Sequence, residues 1–242
     1  MSEPMIFLLL IIICIGGGFI QRVSGFGMSI FVMLFLPYLM PSYNDATATT
    51  GLIFCILTVF NAIVHYKHTQ LKLVLPLLIA AMITIPIAVR ISSVSSGTLM
   101  KKLLGVMLVA FSIYFLFFSK KIHIRPTVAN GLFAGALGGA LTGMFSTGGP
   151  PVVLYLIHAT SDKMVYFSTI QSYFALASIY SSGVRLINGM ITWEIVIFAA
   201  AGLIGCAIGT RLGTKFFDRL SAEKLKQVIY VGMIISGVLM IV

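Results

Sequence analysis

Charged residues are scarce in this chain of 242 residues. They make up 9% of it, and only six are acidic. Soluble domains carry about 25% charged residues, so a soluble fold of this size is excluded. Cysteine is nearly absent as well. Cys14, Cys55 and Cys206 stand apart in apolar runs with no C-x-x-C pair, which leaves no disulfide or metal spacing and makes them packing residues. The few acids are poorly placed for cation chemistry. Glu3, Asp162, Asp218 and Glu223 fall in loops or at the terminus, Asp45 and Glu194 at segment ends, and none lies in the middle of an apolar run. That argues against a sodium site built from carboxylates, and no metal or other cofactor is expected. The motifs of enzymes are missing too: there is no H-E-x-x-H, no paired intramembrane aspartates and no intramembrane histidine pair. A net charge of +10 comes without any basic stripe interleaved with exposed aromatics, which excludes nucleic acid as a partner. The single tryptophan, Trp193, reads as an interfacial anchor.

What is abundant is apolar sequence. The chain is 59% hydrophobic with a mean hydropathy of +1.08, and runs of roughly 17–25 apolar residues are the length that crosses a bilayer as a helix. Lipid cannot satisfy open backbone groups, so spanning structures are helix bundles or closed barrels. These runs are continuous rather than alternating, which excludes the barrel. The fold class expected is an all-α polytopic membrane protein whose partner is the lipid bilayer. Ten segments are expected, at about 4–21, 26–40, 46–65, 72–89, 102–119, 127–145, 149–158, 165–184, 192–210 and 226–242. The second and seventh are short for a full crossing, and either crossing or re-entry is open for both. The N-terminal run lacks the basic start and A-x-A-like site of a signal peptide and is read as the first span.

An internal repeat organises the segments. A shift of 122 residues carries Gly16, Gly17, Ser24, Gly27 and Thr47 onto Gly138, Gly139, Ser146, Gly149 and Thr169. Later the shift drifts to 125, pairing Ser96, Lys101 and Val106 with Ser221, Lys226 and Val231. Two five-segment halves follow, 1–122 and 123–242. If alternate loops face the same side, one side receives Arg22, Lys67, Lys72, Lys120, Lys121, Arg125, Lys163, Arg211, Lys215, Arg219, Lys224 and Lys226. The other receives Arg90, Lys101, Lys102 and Arg185, a division of 12 against 4. The richer side is expected in the cytoplasm, which puts both termini on the extracytoplasmic side. An odd number of crossings per half makes the halves inverted repeats, an arrangement recurrent in secondary transporters with broken helices near the midplane.

Each half carries such a break. The first is G-G-G-F-I-Q-R-V-S-G-F-G at 16–27 and the second is G-G-A-L-T-G-M-F-S-T-G-G-P-P at 138–151. Glycine permits positive φ and a close approach of backbone to ligand. Helices starting near Gly27 and Gly149 would aim free N–H groups and a positive dipole end at an anion. Pro150 and Pro151 fit the first turn of such a helix. The candidate binding residues are therefore Gln21, Arg22, Ser24, Gly25 and Gly27 in the first break, and Ser146, Thr147, Gly148 and Gly149 in the second. Arg22 is either a partner for the anion or an interfacial anchor. Thr49, with Thr47 and Thr50, and Gln171 and Ser172, with Thr169, open equivalent segments where polar side chains could line the same path. Asn61 is either interhelical glue or pore lining. His158 and Asp45 are the candidates for proton coupling. Gly131, Gly135 and Gly139 have the small-x-x-x-small spacing of packing residues.

Glycine-rich breaks at the start of each half, ten apolar segments, about 240 residues and little soluble loop resemble the TauE/SafE family of sulfite-exporter-like permeases. Phe26 stands where a fuller glycine run is typical of that family and narrows the first break. The resemblance implies transport of a small sulfur-containing anion, such as sulfite or an organosulfonate, across the cytoplasmic (inner) membrane. The anion would be held between the two breaks, and rocking of one bundle would alternate access. A membrane scaffold that uses the breaks only for packing, and a channel or exporter for another small solute, are the alternatives. Homo-oligomerisation is open.

Overall fold

The computed structural model describes residues 3–118, 125–216, 234–235 and 237–241. Among these the regular structure is entirely helical: α1 (Glu3–Ser24), α2 (Met28–Met33), α3 (Leu36–Leu39), α4 (Tyr43–His65), α5 (Leu71–Val94), α6 (Gly97–Ile113), α7 (Val128–Phe145), α8 (Gly149–Ala159), α9 (Lys163–Ile187) and α10 (Trp193–Phe216). A 3-10 turn at Tyr66–His68 follows α4 and a π-helical turn at Tyr114–Phe118 follows α6.

Six helical stretches are long and apolar enough to cross a membrane: Pro4–Val23, Tyr43–His68, Leu71–Val94, Gly97–Phe117, Val128–Phe145 and Trp193–Lys215. α9 has the length but not the composition, because one buried face carries Ser168, Thr169, Gln171, Ser178, Ser181 and Arg185. The expected segments at 26–40 and 149–158 are short for a physical reason. At about 1.5 Å per residue, the 11 residues of α8 fall well below the roughly 30 Å hydrocarbon core. α2 and α3 are shorter still. The tenth expected segment, 226–242, lies for the most part outside the described residues, as do Lys120, Lys121, Arg219, Lys224 and Lys226.

The chain divides into two compact units. The first takes Met1–Thr50, Ser95–Lys121 and Thr192–Val242; the second takes Gly51–Val94 and Ile122–Ile191. Each unit draws on both sequence halves, and each is built on the same pairings. In the first, α1 packs along α10 and α2 folds back on α1. In the second, α7 packs along α5 and α8 folds back on α7. The first expected segment of one sequence half thus pairs with the fourth of the other, twice.

Glycine makes both pairings close. An ideal Cβ at Gly135 would fall 2.6 Å from Leu77 Cα, one at Gly139 2.6 Å from Ala81 Cα, and one at Gly143 2.6 Å from Ala88 Cβ. Along α10, a Cβ at Gly205 would meet Cys14 Cβ at 2.9 Å and one at Gly209 would strike the Ile15 carbonyl. Gly135 and Gly139 are packing residues as their spacing predicts, and Gly131 lies against Pro76 and Tyr155. The contacts rise together along both members of each pair, so α1 and α10 run parallel, as do α5 and α7. Cys14 and Cys206 are free and buried, packing residues whose side chains meet between α1 and α10.

Candidate functional site

The first break is a tight, internally bonded turn. Gly25 and Gly27 take φ of 78° and 103°, which only glycine adopts without strain. Gln21 is 2% exposed and spans the break: Nε2 donates to the Gly25 carbonyl at 3.4 Å, and Oε1 accepts from the Met28 N–H at 3.3 Å. This corrects the expectation of free N–H groups there, because the amide at the start of α2 is already capped by a side chain. Arg22 reaches α10, with Nε donating to Thr214 Oγ1 at 3.0 Å. Phe26 is buried and lies 6.1 Å from the Phe115 ring. Ser24 ends α1; its side chain lies outside what the structure describes.

The second break is organised differently. Ser146 ends α7 in the left-handed conformation at φ 55°, the one non-glycine with positive φ among the described residues. Its N–H donates to the Thr142 carbonyl at 2.9 Å, and the Thr147 N–H to the Leu141 carbonyl at 3.4 Å, which satisfies the helix end. Gly148 has no room for a side chain: a Cβ there would strike Thr142 Oγ1 and the Gly138 carbonyl oxygen. Ser146, Thr147, Gly148 and Gly149 are all buried. α8 starts at Gly149, but Pro150 and Pro151 fill its next two positions. They remove two of the amides that would otherwise face a ligand, so the helix end keeps its positive field while losing donors.

Arginine does reach this break, from a place the sequence assigned to a loop. Arg185 lies on α9 and is 1% exposed. Its Nη2 donates to the Gly143 carbonyl at 2.7 Å, to Ser146 Oγ at 3.3 Å and to the Thr142 carbonyl at 3.5 Å. A cation at the C-terminal end of α7 meets the negative end of that helix's dipole and fixes Ser146 in place. Removing Arg185 from the loop tally leaves the charge asymmetry larger than before. Its signal was in the sequence: Ser178, Ser181 and Arg185 recur at helical spacing, so the polar face of the segment continues past residue 184.

The remaining candidates are spread over both units. Thr49 is fully buried, and its hydroxyl has no hydrogen-bond partner among the described residues. Thr47 Oγ1 bonds the Asn44 carbonyl and Thr50 Oγ1 lies 3.4 Å from the Met33 sulfur. Asp45 sits in the N-terminal cap of α4, accepting from Ser42 Oγ at 2.7 Å. In the second unit, Asn61 Nδ2 donates to Gln171 Oε1 at 3.4 Å, Ser172 Oγ lies 2.8 Å from Thr69 Oγ1, and the Gln70 N–H donates to Thr169 Oγ1. These side chains tie α9 to α4 and to the turn before α5. His158 Nδ1 lies 2.8 Å from the Leu154 carbonyl in the last turn of α8.

Paired long helices, each carrying a short buried helix folded back at a glycine break, belong to a multi-pass α-helical membrane protein. The chain matches the sulfite exporter TauE/SafE family over residues 9–240. It belongs to that family. No match is found among curated proteins or among solved structures.

Proposed function

We propose that this protein is a secondary transporter that exports small sulfur-containing anions, sulfite or organosulfonates, across the cytoplasmic membrane. The family match over residues 9–240 carries this reading. The second break supports it chemically: a helix N-terminus, buried hydroxyls and a buried arginine converge on residues 146–149. An anion is the ligand such a set favours, and none of these groups is a carboxylate that would attract a cation. The recurrence of the same helix pairings in both units supports two inverted repeats, 1–122 and 123–242, and with them an alternating-access cycle.

Reconstitution into proteoliposomes tests the function. Saturable sulfite or methanesulfonate flux, exceeding that of chloride, is expected from the wild-type chain. Ser146→Ala loses the hydroxyl held by Arg185 and should reduce that flux while the protein still inserts. If no anion in a panel of sulfite, sulfate, methanesulfonate and chloride shows saturable flux, the transport reading fails and a scaffold role takes its place.

A further inference from the structure

Two hydroxyls at the second break are buried and unused. Tyr173, on α9, is fully buried, and its hydroxyl has no hydrogen-bond partner among the described residues. The same holds for the Thr147 hydroxyl. Both neighbour Gly148, Tyr173 in space and Thr147 in sequence. The ideal Cβ position at Gly138 lies 3.1 Å from the Tyr173 hydroxyl and 3.1 Å from the Gly148 carbonyl oxygen, and Thr147 immediately precedes Gly148. Burying a hydroxyl without a partner costs free energy, and valine or phenylalanine would fill the same volumes without that cost. Packing accounts for the shape of these residues and not for their oxygens.

The start of α8 explains what the oxygens do. Its dipole end is positive, yet Pro150 and Pro151 carry no N–H. Side-chain hydroxyls can supply the hydrogen bonds that the prolines withhold, and a positive field orients them as donors.

We propose that Tyr173 and Thr147 are the donor pair that takes the oxygens of a sulfur oxyanion at the second break. Their two separate hydroxyls suit a ligand with several acceptor oxygens, sulfite or a sulfonate, better than a monatomic anion. Tyr173 contributes from α9 and Thr147 from the α7–α8 turn, so both belong to a single unit of the chain. This rests on the anion-transport reading, and its test separates the two.

The full-length chain and its Tyr173→Phe, Thr147→Val and Thr147→Ser variants are purified in detergent and reconstituted. Melting is measured without ligand and with sulfite, methanesulfonate or chloride, beside flux of the same anions. Tyr173→Phe and Thr147→Val should melt at or above the wild-type temperature without ligand. Each should lose the sulfite-induced shift and about tenfold or more of sulfite flux, the scale of one hydrogen bond to a charged group. Thr147→Ser, which keeps the hydroxyl, should retain both. Variants with wild-type sulfite shift and flux would overturn the donor pair and leave transport standing. A ligand-free melting point lowered by Tyr173→Phe would overturn it as well, by revealing a structural bond. A wild-type chain with neither shift nor flux for any of the three anions would remove both readings together.

Discussion

Arg185 shows how much of this site hangs on single side chains. Its guanidinium holds the end of α7 and the Ser146 hydroxyl at once. Arg185→Gln should lower stability by about 1.5–3 kcal/mol, the worth of hydrogen bonds made by a charged donor, read by denaturation in detergent. Arg185→Lys should recover part of the loss, since an ammonium keeps the charge but not the planar fork. Gln21 does comparable work in the first break with a neutral amide. Gln21→Leu leaves the Met28 N–H buried without its acceptor and should cost about 1–3 kcal/mol by the same measurement. The sequence made Gln21 visible as a type, because an amide beside glycines in an apolar run demands a reason. It could not show which way these side chains turn. Arg22 could be read as a partner for the anion or as an interfacial anchor, and its bond to Thr214, 192 positions away, was not legible. Arg185 looked like a loop residue because the apolar run stopped one residue before it. Contacts between distant segments decide both cases, and no local pattern encodes them.

At the level of elements, the apolar runs located the long helices to within about six residues, since a continuous bilayer-length run is satisfied in lipid as a helix. The partners of those helices were harder to read. Gly205, Gly209 and Gly213 repeat every four residues on α10 as Gly131, Gly135, Gly139 and Gly143 do on α7, yet spacing names a face and not the helix that meets it. The α1–α10 pairing is directly testable through its cysteines. Mild oxidation should join Cys14 to Cys206 and give a faster-migrating species on non-reducing gels that Cys206→Ser abolishes. Gly209→Leu, which drives a side chain into the Ile15 backbone, should abolish it too, with overpacking of about 3 kcal/mol or more. The start of α9 carries a pH-dependent device. The Val165 and Met164 amides donate to the exposed Asp162 carboxylate, with His68 adding a smaller attraction, and hold its pKa below the ordinary carboxylate range. A depressed carboxylate stabilises the fold above its unfolded pKa and ceases to do so as pH falls through its folded one. Asp162→Ala should therefore melt below wild type at pH 7, and the gap should close progressively in acid.

For the whole molecule, the direction in which each helix runs supplies an argument that composition alone did not. In the second unit α5 and α7 are parallel, so Lys72 and Arg125 lie at the same end. Thr69 and Gln70, just after the turn at Tyr66–His68, bond Ser168 and Thr169 near the start of α9, which brings Lys67 and Lys163 to that end too. Arg90 lies toward the opposite end, near the Ser92 contact with the Met144 carbonyl. In the first unit α1 and α10 are also parallel, which places Arg22 with Arg211 and Lys215. Within each unit, the basic residues named here group as loop parity grouped them, although the pairing of helices played no part in that division. Within its own unit α1 ends at the basic end, and within the other α7 begins at the basic end. Positive residues are retained in the cytoplasm, so the basic ends should face inward. In a background with Cys14, Cys55 and Cys206 replaced by serine, exposed positions report sidedness to a membrane-impermeant maleimide. His68→Cys and Ser161→Cys should label only when the cytoplasmic face is accessible, in inverted vesicles. Asn188→Cys, at the far end of α9, should label in intact cells. The opposite pattern would reverse the orientation but keep the repeats; labelling of His68→Cys and Ser161→Cys from different sides would break the inverted-repeat reading itself.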